Sequence, residues 1–221
     1  MEASKITPDL LLRAYASGIF PMAEGRDDPD VFWVEPDERG ILPLDAFHLS
    51  KKLRKIIRKD RFSVCINRDF RGVMAACADS APDRPDTWIS NDIERLYCDL
   101  HQRGFAHSIE CWQDGRMVGG LYGIALKSAF FGESMFRRVD DASKVALAHL
   151  VARLIGSGFT LLDVQFQTDH LRQFGTLEIP DYQYRDLLAE AMKKDADFIK
   201  AGDRLSGHEV LAILDAHCSA M

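Results

Sequence analysis

No stretch of this chain approaches the 18 or so consecutive apolar residues that a membrane-spanning helix needs. The opening residues, MEASKITPDLLLRAY, lack the basic start, apolar run and small-residue cleavage site of a secretory signal. The sequence therefore reads as cytoplasmic, with no membrane partner. Cysteine is sparse: Cys65, Cys77, Cys98, Cys111 and Cys218 are odd in number, scattered, and form no CxxC pair. That pattern argues against a disulfide framework and a zinc site and fits reduced thiols. The phosphate-cradling GxxxxGK[ST] is missing, as are the GxSxG elbow and the HExxH helix. GGLYG lies inside a strand-like run, not at a strand-to-helix turn, so it is no dinucleotide fingerprint. Seven histidines are spread without ligand spacing. The expectation is chemistry without a cofactor and without a metal.

What is present describes a soluble globular chain. Its 221 residues are 47% apolar and 28% charged, enough for a proper core. A net charge of −6 disfavours general nucleic-acid binding, but the average hides a local exception. The run KKLRKIIRKDR, residues 51–61, holds 7 of the 28 Lys and Arg residues and one acid. Leu49, Leu53, Ile56 and Ile57 form a single helical stripe there, and Lys51, Lys52, Arg54, Lys55, Arg58 and Lys59 fill the rest of the surface. Charges of one sign, with no acids at i+4 to pair them, make a docking face for a polyanion.

Along the chain, Thr7, Pro8 and Gly18 bound a first helix, and Pro36 and Pro43 break the extended pieces that follow. Residues 1–61 read as a small N-terminal module with the basic helix, and 62–221 as the main unit. In the latter, strands and helices interleave around antiparallel hairpins, with Asp114-Gly115 as a tight turn. The expected class is α+β with a mixed, largely antiparallel sheet.

Two acids stand in unusual company. Glu133 lies within FFGESMF, where strict alternation would put Phe131, Glu133 and Met135 on one face and Phe130, Gly132, Ser134 and Phe136 on the other. Asp163 follows Leu161 and Leu162 in a strand that reads as central, where an unpaired carboxylate is costly. Gln165, two residues on, shares its face.

The segments GIFPM, TWIS, AHSIECW, VGGLYG, FFGESMF, DDASK, LLDVQ and LEIP occur in this order between about residues 8 and 190. In them the chain resembles the leucyl/phenylalanyl-tRNA–protein transferases. The resemblance implies a small N-terminal domain followed by a GNAT-like acyltransferase domain. It implies transfer of Leu or Phe (Met is a third candidate) from aminoacyl-tRNA to the N-terminal Arg or Lys of a protein, marking it for N-end-rule degradation. By the same resemblance Glu133, Asp163 and Gln165 would be catalytic. Phe130, Met135, Leu121, Leu150, Leu154 and Leu162 would line the side-chain pocket, and Tyr15, Trp88 and Tyr97 would hold the terminal adenosine. The basic helix would meet tRNA phosphates. The chain departs from the family pattern at Met22, where relatives carry a tryptophan, and at Leu121 and Leu150, where some carry a Met and a Phe. In RRVDDASK, charged residues replace the [QR]xxGx[GA] loop with which an acetyltransferase holds acetyl-CoA. Two rivals stand beside this reading: a GNAT-like transferase with another acyl donor, and a non-catalytic RNA-binding protein.

Overall fold

A computed structural model describes residues 6–28, 30–79 and 87–219, with Cys218 and Ser219 described by backbone alone. The fifth cysteine and most of the expected loop at 80–87 thus lie outside the described side chains. The elements in chain order are α1 (Pro8–Ala16), β1 (Phe20–Met22), β2 (Phe32–Val34), β3 (Glu38–Ile41), α2 (Lys51–Arg58), β4 (Ser63–Ile66), α3 (Phe70–Ala78) and α4 (Asn91–Gln102). Then come β5 (Ala106–Gln113), β6 (Arg116–Leu126), β7 (Ala129–Arg137), α5 (Ala142–Gly156), β8 (Leu161–Gln165), α6 (Asp169–Arg172), β9 (Leu177–Pro180), α7 (Asp181–Ala191) and α8 (Gly207–Ser219). Among the described residues no helix is long and apolar enough to cross a membrane, and Cys65, Cys77, Cys98 and Cys111 are free thiols.

Local chemistry accounts for the boundaries. Thr7 caps α1 by accepting the Leu10 N–H at 3.2 Å, and Gly18, at φ +82°, stops it. Ser50 and Ser90 cap α2 and α4 in the same way. Asp114 and Gly115 take φ of +51° and +74°, the twist a two-residue hairpin between β5 and β6 requires.

Seven strands form one sheet in the order β4-β5-β6-β7-β8-β3-β9, and β1 and β2 form a separate hairpin. All neighbours are antiparallel except β7 and β8, so the sheet is mixed. Side chains alternate between two cores. One holds Leu121, Phe130 and Leu162 with Leu53 and Ile57 of α2, Leu150 and Val151 of α5, and Leu211 of α8. The other holds Tyr122, Phe131 and Leu161 with Leu11 of α1, Met74 of α3, Leu96 of α4 and Leu188 of α7. The helices thus cover both faces. Of the apolar stripe of the basic helix, Leu49, Leu53 and Ile57 are buried and Ile56 is half-buried.

The packing draws residues 38–61 into the larger unit, whereas the sequence reading assigns them to the N-terminal module. β3 lies between β8 and β9, and α2 packs on α5 and α8. The extended piece between Pro36 and Pro43 is expected from the sequence, but ERGI has no alternation to show that it enters the large sheet.

The glycines of VGGLYG permit close contacts. A Cβ on Gly119 would sit 2.6 Å from that of Ala142, so this position lets α5 lie on the sheet. A Cβ on Gly123 would meet the Phe131 carbonyl oxygen and the Phe130 ring. Gly123→Ala is therefore expected to cost roughly 1–3 kcal/mol, as overpacking does, and thermal denaturation against wild type checks this.

Candidate active site

The site begins at a bulge. β6 and β7 pair Tyr122 with Ser134 but Gly123 with Gly132, so Glu133 has no partner across the ladder. An extra residue of this kind bends the strand and re-aims its side chain. It also reverses the parity beyond it. Met135 packs on the same core as Phe130, and Phe136 on the same core as Phe131. The unbroken alternation expected through FFGESMF is thereby corrected: it pairs Phe130 with Phe136 and Phe131 with Met135, the reverse of what occurs. Period-2 reading cannot register a single inserted residue.

A gap in the sheet opens beside the bulge. β7 and β8 pair only from Ala129–Phe131 to Leu161–Asp163. Beyond this β7 continues along β6 while β8 pairs with β3. A cleft of about 1010 Å³ lies here, with Glu133 and Gln165 both on its wall.

Glu133 is held from behind by two tyrosines. Tyr15 Oη lies 2.7 Å from its Oε1 and Tyr97 Oη 3.1 Å from its Oε2, and the two hydroxyls also hydrogen-bond each other, so the three contacts share the two phenolic protons and, when it is protonated, that of the carboxyl. From the β8 side, Gln165 Nε2 donates to Oε1 at 3.3 Å. Burial pushes the Glu133 carboxyl up to about 8. The tyrosine hydrogen bonds oppose that rise, the charge of Asp163 adds to it, and the charge of Arg39 opposes it. Near neutrality this carboxyl therefore exists in both protonation states.

Asp163 occupies a different environment. It is fully buried, and Arg39, 1% exposed, closes on it from β3. Arg39 Nε reaches Oδ1 and Oδ2 at 3.0 and 3.1 Å, and Nη2 reaches Oδ2 at 2.7 Å. Tyr184 of α7 adds a hydroxyl at 2.6 Å. The guanidinium carbon sits 4.6 Å from the ring centroids of both Phe20 and Tyr184, and Nη1 donates to the Gly18 carbonyl at 2.9 Å. Burial alone would pull the Arg39 pKa down, but the charge and hydrogen bonds of Asp163 raise it above its usual value. The remaining use of Asp163 is to accept the Gln165 N–H at 2.8 Å. That bond holds Gln165 at φ +55°, a left-handed conformation that costs a side-chain-bearing residue of order 1–3 kcal/mol. Asp163 thus sits behind the wall of the cleft, fixing the group that faces it.

The other residues expected at the site divide similarly. Trp88, Leu121, Met135, Leu150 and Leu162 line the cleft, and so does Met22. Phe130 and Leu154 are fully buried behind that wall. Tyr15 and Tyr97 are fully buried as well, so their rings offer no face on which an adenine could stack. Their work is on Glu133. Sequence reading missed Arg39, Tyr184 and the cleft residues Leu147 and Phe166. Arg39 carries no local signal, since its partner is 124 residues away.

On α2 no acid stands at i+4 to these cations, as the sequence shows, but two of them find acidic partners elsewhere in the fold. Lys52 pairs with Asp141 at 2.9 Å and Arg54 with Asp215 at 2.6 Å, both from other elements. Among the described residues, Lys51, Lys55, Arg58 and Lys59 make no ion pair, and all four are exposed.

Such a cleft has an apolar wall for a side chain and a carboxyl–amide pair for polar reacting atoms. Fold and site together offer one cleft in which an apolar side chain and polar reacting atoms could be brought into register. The chain belongs to the leucyl/phenylalanyl-tRNA protein transferase family: that family's profile matches residues 41–189, and the profile of its N-terminal domain matches residues 4–37. A protein of Rhodopseudomonas palustris strain TIE-1, named leucyl/phenylalanyl-tRNA–protein transferase, is 57% identical over 214 residues, covering 96% of this chain and 95% of its own. One of the same name from Maricaulis maris is 56% identical over 201 residues, covering 91% and 93%.

Proposed function

We propose that this transferase takes Leu or Phe, esterified to tRNA, and joins it to the N-terminal Arg or Lys of a protein, the mark read by N-end-rule degradation. A charged-tRNA donor puts the reaction in the cytoplasm. The observation that carries the reading is the meeting of Glu133 and Gln165 at the bulge, on the wall of an apolar cleft. The ester is already activated, so neither ATP nor a covalent intermediate is needed. The amine nitrogen attacks the ester carbonyl, the bond to the ribose oxygen breaks, and a proton passes from the amine to that oxygen.

Positioning is the larger contribution. Holding two reactants in attack geometry supplies roughly 7–11 kcal/mol, whereas freeing an α-amine of pKa ~8 at pH 7 costs only about 1.4 kcal/mol. Leu121, Met135, Leu147, Leu150 and Leu162 would hold the apolar side chain. Glu133 would meet the acceptor amine, and its pKa of about 8 matches that amine, so proton transfer between them is nearly isoenergetic. Gln165 would fix the amine or the carbonyl. Asp163, closed off by Arg39, would act through Gln165 and not on the substrate. The unpaired lysines and arginine of α2 would contact phosphates of the tRNA body without reading its sequence.

The test is transfer of labelled Leu or Phe from charged tRNA to two peptides differing only in an N-terminal Arg or Ala. The expected result is label on the Arg peptide alone, abolished when the tRNA is first treated with ribonuclease. Label on neither peptide overturns the proposal.

A further inference from the structure

The far end of the same cleft is cationic, and the uses assigned to Glu133 and Gln165 do not account for it. β7 runs from Glu133 to Arg137, four residues or ~13 Å of strand. Arg137, Arg138 and Ser143 line the cleft there, and His170 of α6 faces them. Arg137 is exposed, and among the described residues it has no ion pair. Arg138 stacks on Phe136 and lies 3.7 Å from Asp79, a loose pairing at an exposed carboxylate. Lys144 donates to Gln173 at 3.0 Å, with Asp141 no nearer than 3.9 Å. The Nε2 of His170 is buried and unpartnered, and burial together with Lys144 and Arg137 lowers its pKa, so the imidazole is neutral. This corner also joins the basic helix, because Lys52 of α2 pairs with Asp141 at the start of α5.

We propose that Arg137, with Arg138 and Lys144 beside it, forms a phosphodiester subsite for the single-stranded 3′ end of the donor RNA. The inference rests on the aminoacyl-tRNA reading above. If the acyl ester lies at Glu133, the strand must leave the cleft along a path that neutralises its phosphates. The ~13 Å from Glu133 to Arg137 is the reach of one or two extended nucleotides. Between this corner and α2 stands Asp141, paired with Lys52 and 3.9 Å from Lys144, so the two cationic patches are neighbours on either side of one carboxylate. Single-stranded ends are held by such grooves, with salt-dependent affinity.

The experiment compares Arg137→Glu and Arg137→Gln with wild type on two donors: charged tRNA, and phenylalanyl-adenosine, which has no phosphate. The expected result is a KM for charged tRNA raised about tenfold or more by R137E and less by R137Q, with kcat little changed. On phenylalanyl-adenosine the loss is at least tenfold smaller. The salt dependence of the tRNA KM should also flatten by about 0.7 in log–log slope, the value of one single-strand phosphate contact. Equal losses on both donors would mean that Arg137 acts at the reacting end or on the fold, and would overturn the subsite. An unaffected KM overturns it too, while leaving the transferase reading intact. A wild-type protein that transfers from neither donor overturns that reading, and the subsite with it.

Discussion

Replacing Arg39 with methionine is expected to lower the melting temperature by on the order of 10 °C. Removing one partner of a buried ion pair typically costs about 3–5 kcal/mol, because the other charge is left without compensation. In a chain of this size each kcal/mol moves the transition by roughly 2–4 °C. Asp163, with no exposed surface, cannot recover its solvation. The double variant Arg39→Met/Asp163→Asn removes the stranded charge and should regain most of the loss. The asparagine keeps a carbonyl oxygen for the Gln165 N–H, which now binds at 2.8 Å, and so keeps Gln165 in place. Thermal denaturation reads the first effect, and transfer activity of the double variant reads the second. Measurable activity in R39M/D163N fits Asp163 as a positioning residue. A stable but wholly inactive double variant would point instead to direct chemistry by the Asp163 carboxylate.

The contrast between Arg39 and Glu133 shows what this sequence displays and what it conceals. A carboxylate inside an aromatic run is visible because its neighbours are adjacent in the chain. The same holds for Asp163 and Gln165 in LLDVQ, for the capped helices, and for the Asp114-Gly115 hairpin. Arg39 is hidden because its meaning lies in a contact across the sheet, and ERG between two prolines carries no period. The bulge at Glu133 is equally silent: one extra residue changes which face each later side chain takes without altering composition. Tyr15 and Tyr97 are visible as aromatics near the site. Whether an aromatic ring stacks on a ligand or supplies a buried hydroxyl depends on depth, which α1 and α4 set only once they pack. The helix α6 is four residues long, too short for any periodicity to declare it.

Glu133→Gln is expected to lower kcat by about 10²–10⁴, the range for a lost proton-transfer group, while the KM for charged tRNA changes little. The same substitution should have an opposite, pH-dependent effect on stability. The carboxyl has a folded pKa of about 8 against an ordinary value of 4.5, so the folded state holds this proton more tightly than the unfolded chain does. Its contribution to stability is then fully present below about pH 4.5 and declines as the pH rises through 8. Each pKa unit is worth roughly 1.4 kcal/mol, but part of Glu133 faces the cleft, so solvent reduces the total to a few kcal/mol. A glutamine has no charge to bury. The melting temperature of E133Q relative to wild type should therefore rise steadily from pH 5 to pH 8.5 and level off above. A difference that stays flat across that range would show that Glu133 is ionised at ordinary cost in the folded protein. The match to the acceptor amine would then be lost, and Glu133 would be left with orientation of the amine alone.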